Sequence, residues 1–306
     1  MSAAPQTAAA RPSATPAMLA GVGTLLLWSG TPIANEIVVE YMDAFTAGLL
    51  RSIVAGLVAV VIALALRLPF PKSRRDRALL AVAGLASFAA WPVTLSLGIE
   101  RTTAGHAALI LATIPVIAVL LAAALERRVP SLGWWLGAAV ALAGCVLVVS
   151  VRSGGLRNPG AGPTALGDAI VFVGGAICAV GYVVGGRLSP RLGTAPTTFW
   201  GLSLAMIVLV PLLLAVRSRT AWADVPLDGW LAMGWLSLLS SCAAYALWFY
   251  ALGRGGIGRM SSLLLVTPAV TLLGAALVLG ERVGGLLLVC CALVILGTYL
   301  AQRHAG

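Results

Sequence analysis

The chain has 306 residues, 60% of them hydrophobic and 10% charged, with a mean hydropathy of +1.02. Globular domains carry about 25% charged residues to cover a wetted surface, so a water-soluble enzyme domain, a disordered chain and a disulfide scaffold are excluded. Twenty Lys and Arg against ten Asp and Glu leave a net charge of +10. In a soluble protein that surplus would suggest nucleic acid, but here the bases sit in short stretches between apolar blocks, where membrane topology accounts for them and no nucleic-acid partner is implied.

Residues 1–16, rich in Ala, Pro, Ser and Thr with Arg11 as the single charge, read as a disordered tail, and the apolar block that follows is too long for a signal-peptide core. Membrane spans are predicted over residues 17–38, 44–66, 78–99, 103–124 and 131–151, forming a first five-helix half over 17–151. A linker loop over 152–166 leads to spans at 167–187, 194–216, 227–251, 255–279 and 283–302, a second half over 167–303. Each is near the ~20 residues that cross a ~30 Å hydrocarbon core. Backbone groups find no water there, and the alternating strands of a barrel are absent, so the fold class is all-α, a polytopic bundle of ten transmembrane helices.

With the N-terminus inside, thirteen bases fall on the inner side, including the dense run from Arg67 to Arg77, and six on the outer side. Both termini are therefore expected in the cytoplasm; contact of the basic loop with anionic lipid is the alternative, and a topology signal is the preferred reading of its charge. The five cysteines all lie within apolar blocks without CxxC spacing, so neither disulfide, zinc nor redox chemistry is expected. Gly253, Gly255 and Gly258 match GxGxxG but lack the strand that a dinucleotide site requires. No Walker A, HExxH or GxSxG run is present, and His106 and His304 are the two histidines. The expectation is a protein without cofactor, metal or enzyme chemistry.

The two halves resemble one another. Gly105 precedes Pro115 by ten residues, as Gly258 precedes Pro268, and Pro115 precedes Gly144 by 29, as Pro268 precedes Gly297. Glu126 and Glu281 match less well, lying 11 and 13 residues beyond their prolines. A duplicated unit with an odd number of spans enters the membrane from opposite sides, giving two inverted five-helix repeats. Such a pair can close on one face while opening on the other, so alternating-access transport is the expected function.

These features together, with the prolines of the fourth and ninth spans and the Leu279-Gly280-Glu281-Arg282 run, resemble the drug/metabolite transporter superfamily, specifically its EamA-type exporters. Among those, the chain is most similar to YddG-type exporters of amino acids. The first half departs from the family pattern, since Leu125-Glu126-Arg127-Arg128 lacks the glycine before the glutamate. The resemblance implies amino acids, aromatic or neutral, or related small amphiphiles as substrates, exported across the inner membrane. The alternatives are a multidrug or nucleotide-sugar carrier or, in a different class, an intramembrane enzyme or a structural membrane protein.

Cavity-lining residues are sought on helix faces that mix polar and aromatic side chains. Trp28, Pro32 and Asn35 share a face of the first span, Ser87, Trp91 and Thr94 of the third, and Ser241, Tyr245 and Trp248 of the eighth. Tyr182 shares one with Cys178 on the sixth span, and Ser261 with Pro268 on the ninth. For each, helix packing is the plain alternative. Pro32, Pro92, Pro115 and Pro268 are kink or gating candidates, because a proline removes a backbone donor and bends the axis. His106 near the start of the fourth span would either contact substrate or bond a neighbour. Arg51 lies about 10 Å inside the second span. Two readings compete for it: a structural pair with Glu36, which is preferred, or a place on the pathway facing a substrate carboxylate. No other acid looks like a mid-membrane proton carrier, so efflux down the substrate gradient is expected. Gly133-x3-Gly137 and Gly280-x3-Gly284 would allow close helix approach, within the chain or between two copies of a homodimer.

Overall fold

A computed structural model describes residues 14–127, 129–149, 163–255 and 263–304. Among these the chain forms helices joined by short turns, with no strand. The first half comprises α1 (Ala14–Tyr41), α2 (Ala44–Ala65), α3 (Arg74–Ile99), α4 (Ala104–Glu126) and α5 (Leu132–Val149). The second comprises α6 (Ala165–Leu192), α7 (Thr194–Val216), α8 (residues 227–255), α9 (Leu264–Val278) and α10 (Gly285–Arg303). Eight of the ten are long and apolar enough to cross a membrane, and α5 and α9 are shorter apolar helices. Most of the tail and linker read at 1–16 and 152–166 lies outside the described residues, as do Ser261 and Gly258.

Helix starts follow from capping. The side chains of Asp43, Ser73 and Thr164 accept the backbone N–H of Thr46, Asp76 and Gly167 at 2.9–3.0 Å, satisfying donors that the first turn leaves free. Helix ends run past the apolar windows where a charge finds a partner. The helix α6 continues to Leu192 instead of ending near 187, because Arg191 reaches Asp76 on α3 at 2.9 Å. Leu57, Val61, Leu64, Ile207, Leu273 and Leu277 are exposed, which is the disposition of a lipid-facing surface.

Packing reveals the inverted symmetry. The helix α5 packs on α10, α2 on α7 and α4 on α9, while α1 packs on α8 as α6 packs on α3. Every one of these pairings survives exchange of the two halves. The chain direction is also shown: against α10, Gly133 meets His304, Gly137 meets Ala301, and Gly144 meets Val294, so the two helices run antiparallel. The same 153-residue offset relates Gly144 to Gly297 and Gly137 to Cys290. Accordingly, Gly144 abuts the Cys290 carbonyl and Gly297 abuts the Gly137 carbonyl. Two contacts related in this way are what a pseudo-two-fold axis between α5 and α10 produces. The Gly133-x3-Gly137 seam is thus internal. Within the chain the Gly280-x3-Gly284 pair forms no such seam, since Gly280 follows the end of α9 with φ 69° and Gly284 has open space around it.

Helices of the two halves are interrupted in matching places. A π-helical turn occupies Leu85–Ala90 in α3 and Trp235–Ala243 in α8. The helix α4 breaks at Ala112 and Thr113, just before Pro115, and α9 carries a 3-10 turn over Leu264–Val266, just before Pro268. Both prolines therefore occupy the first turn of a helical segment, where the missing N–H costs nothing. They do not kink an unbroken helix, as the sequence pattern suggests. Thr113 fills the gap in α4 by donating its hydroxyl to the Ile110 carbonyl at 2.6 Å. Pro92 likewise begins the α-helical segment after the π turn of α3, whereas Pro32 lies inside α1.

Candidate functional site

A cavity of about 540 Å³ lies between the two halves. Its walls come from the middle of α1, α3 and α4, from Arg51 of α2, and from those ends of α6, α7, α8, α9 and α10 that share a face with the start of α1 and the end of α10. Ser189, Thr194 and Gln302 rim the mouth on that side. Among the described residues, no helix end at the opposite face contributes to its lining.

The seal is polar and gathers on the first turn of α4. Glu36 of α1 accepts the Ala104 N–H at 2.6 Å, and Glu281 accepts the Gly105 N–H at 3.1 Å. Asp168 of α6 accepts the Thr102 hydroxyl and lies 3.2 Å from His106 Nδ1. Free N–H groups and the helix dipole make a helix start a natural partner for carboxylates. Glu281 follows a left-handed Gly280, and its N–H bonds back to the Ala275 carbonyl at 3.2 Å, which turns the chain out of α9. In the first half the residue 153 positions earlier is Arg127, which adopts the same left-handed conformation (φ 54°) without being glycine. The structural counterpart of Gly280 is therefore Arg127, and Glu126 and Glu281 do not correspond.

Of the residues singled out in the sequence, Trp28, Ser87, Trp91, Tyr182, Tyr245 and Trp248 line the cavity, with Pro32, Pro115, Pro268 and Arg51. Trp28 is the hub of the aromatic wall. Its ring lies 5.2 Å from Tyr245, edge-on, and 5.7 Å from Trp248, and its indole N–H donates to the Ser240 carbonyl at 3.1 Å. Phe88 meets the other side of Tyr245 at 5.7 Å. Tyr182 stays 44% exposed although its helix packs among neighbours, because its ring faces this space.

Asn35, His106, Ser241, Glu36 and Pro92 are elsewhere. Asn35 is fully buried and accepts the Ser96 hydroxyl of α3 at 2.7 Å. His106 turns to Asp168, and Glu36 to the start of α4. Pro92 backs onto Gly48 of α2, whose missing side chain lets the two helices approach. Thr94 bonds its own helix at the Ala90 carbonyl. Arg51 does not pair with Glu36, the reading preferred from sequence. Its Nε and Nη2 lie 3.4 Å from the hydroxyls of Ser241 and Ser240, respectively, and its Nη1 has no partner among the described residues.

Thr31, Phe88 and Ser240 line the cavity without having been singled out. Ser240 replaces Ser241 on the wall because the π turn of α8 widens the helix. The Ser241 hydroxyl donates to the Leu236 carbonyl, five residues back, at 2.7 Å. Counting i, i+4 from Tyr245 therefore selects the wrong serine. Only the run of Ser237, Ser240 and Ser241 hints at it.

Tyr245→Ala is expected to raise the half-saturating substrate concentration by about threefold to tenfold, from the ~0.5–1.5 kcal/mol of an aromatic contact. Flux measured over a concentration series checks this, and an unchanged series would remove Tyr245 from the path.

The sequence profile of the EamA-like transporter family matches the chain twice, over residues 15–150 and 165–302. The uncharacterized transporter YdeK of Bacillus subtilis is 27% identical over 281 residues, covering 92% of this chain and 95% of its own. A probable terminal-alkyne amino-acid exporter of Streptantibioticus cattleyicolor is 28% identical over 288 residues, covering 94% of both chains. One protein crystal structure shares the fold with a TM-score of 0.61 at 21% identity, covering 96% of this chain and 98% of its own. The double profile match falls on the same two five-helix repeats that enclose the cavity, and the chain belongs to the EamA-like transporter family as a multi-pass membrane transporter.

Proposed function

We propose that the chain exports amino acids, aromatic and neutral ones foremost, and related small amphiphiles by alternating access, in the manner of YddG-type exporters. The observation that carries this is the one-sided cavity between inverted repeats, open towards the face bearing both chain ends and sealed at the other. The bias of bases supports a cytoplasmic position for that open face, in a cell whose inner membrane holds the protein. The cavity is then ready to load solute for export. Aromatic rings enclose an apolar side chain, while hydroxyls and freed carbonyls take polar groups. The family relative named as an amino-acid exporter supports the same substrate class. A nucleotide-sugar would bring two phosphates to a described wall with one cation, which argues against that cargo.

Among the described residues no carboxylate lines the cavity. Glu36, Asp168 and Glu281 are held in the seal, which favours facilitated efflux over proton antiport. Proteoliposomes loaded with labelled phenylalanine test both points. Efflux should exceed that of protein-free vesicles and persist when the proton gradient is collapsed. No flux of any amino acid would overturn the function, and complete loss on collapse would overturn the mechanism.

A further inference from the structure

The charge inside the cavity has a consequence for which solutes fit. Arg51 is 6% exposed and borders the cavity. Its two hydroxyl partners stand at 3.4 Å, Nη1 faces no acceptor, and no carboxylate among the described residues lies within ion-pair distance. The buried carboxylates of the seal, by contrast, all have donors. An uncompensated buried guanidinium is costly, and its fork matches a carboxylate with two parallel hydrogen bonds. Ser240 completes the head-group end: its hydroxyl also meets that of Thr31 at 2.6 Å, and its carbonyl holds Trp28. The aromatic wall of Trp28, Tyr245 and Trp248 adjoins this end. The described wall has no Asp, Glu or His for an ammonium.

We infer that Arg51 anchors the carboxylate of the transported solute, and that the site selects organic monoanions with an aromatic or bulky apolar body, with or without a free amino group. The inference rests on the transport reading and narrows it: the carboxylate is required, the ammonium is not. An amino acid enters as a carboxylate whose amine is tolerated.

Two blocked forms of one solute separate the charges. N-acetylphenylalanine keeps the carboxylate and loses the ammonium, and phenylalaninamide does the reverse. Binding of each to the full-length protein in detergent is read by tryptophan fluorescence, and each is used to compete with labelled phenylalanine in proteoliposomes. N-acetylphenylalanine should bind and compete on the order of tenfold better than the amide. Arg51→Gln should erase the preference, while Arg51→Lys, with the charge but not the fork, should retain part of it. The wild-type comparison decides the matter even if Arg51→Gln does not fold. Equal or better binding of the amide, or a preference that survives in Arg51→Gln, overturns the inference. Phenylalanine flux without preference for the acetylated form defeats the inference and leaves the transport reading standing. Absence of any flux together with absence of binding defeats both.

Discussion

Gly297→Val should yield little folded protein. A Cβ at Gly297 would lie 2.2 Å from the Ala141 nitrogen, 2.7 Å from its Cα and 2.7 Å from the Gly137 carbonyl oxygen. All three obstacles are backbone, so no rotamer change can yield. Overpacking against side chains costs ~1–3 kcal/mol, and here α5 and α10 would have to separate along their whole seam. Close approach of small residues is what holds transmembrane helices together, since lipid supplies no hydrophobic force between them. Gly137→Val meets the Ala301 nitrogen at 2.3 Å and should behave alike. Gly234→Ala, with nothing within 4 Å of the added carbon, is the control expected to fold normally. Size-exclusion profiles of the three variants in detergent check the series, and a monodisperse Gly297→Val peak at wild-type yield would contradict it.

Asp168→Ala should lower stability by about 3 kcal/mol, the scale for removing one member of a buried polar pair. Asp168 is 3% exposed, and His106 and Thr102 both depend on it. The imidazole Nε2 is already without a partner among the described residues, so losing Asp168 would strand the whole ring. Asp168→Asn keeps the shape and one acceptor oxygen and should cost less. Because the pair joins α4 of one half to α6 of the other, the loss falls on the seal between halves. Thermal unfolding followed by tryptophan fluorescence measures it; an Asp168→Ala midpoint equal to wild type would show that the pair bears no weight.

Much of this arrangement is legible in the sequence. Blocks of apolar residues mark the helices, and the equal offsets around Pro115 and Pro268 mark the repeat. Trp28, Trp91, Tyr182 and Tyr245 lie too deep in their spans for an interfacial belt, and all four border the cavity. What is not legible depends on departures from regular helix. Ser240 faces the cavity because of a π turn, a hydrogen-bonding shift that leaves no periodic trace. Glu36 goes to a backbone N–H and not to Arg51. Pairing by opposite charge misses it, because the free donors at a helix start compete well for a carboxylate. Gly280 and Arg127 share a conformation but not a residue type, so alignment by identity shifts the glutamates out of register.

That last mismatch bears on how the protein divides its time between states. If two inverted halves were identical, the form open on one face and the form open on the other would have equal free energy and equal occupancy. Gly280 turns freely and delivers Glu281 to the seal, whereas Arg127 makes the same turn at a cost of roughly 1–2 kcal/mol. A difference of only ~1.4 kcal/mol sets occupancies at ten to one. Under the proposed alternating access, the unlike ends of α4 and α9 would set which side a nearly symmetric machine faces at rest wherever one state relieves the left-handed turn at Arg127 and the other keeps it.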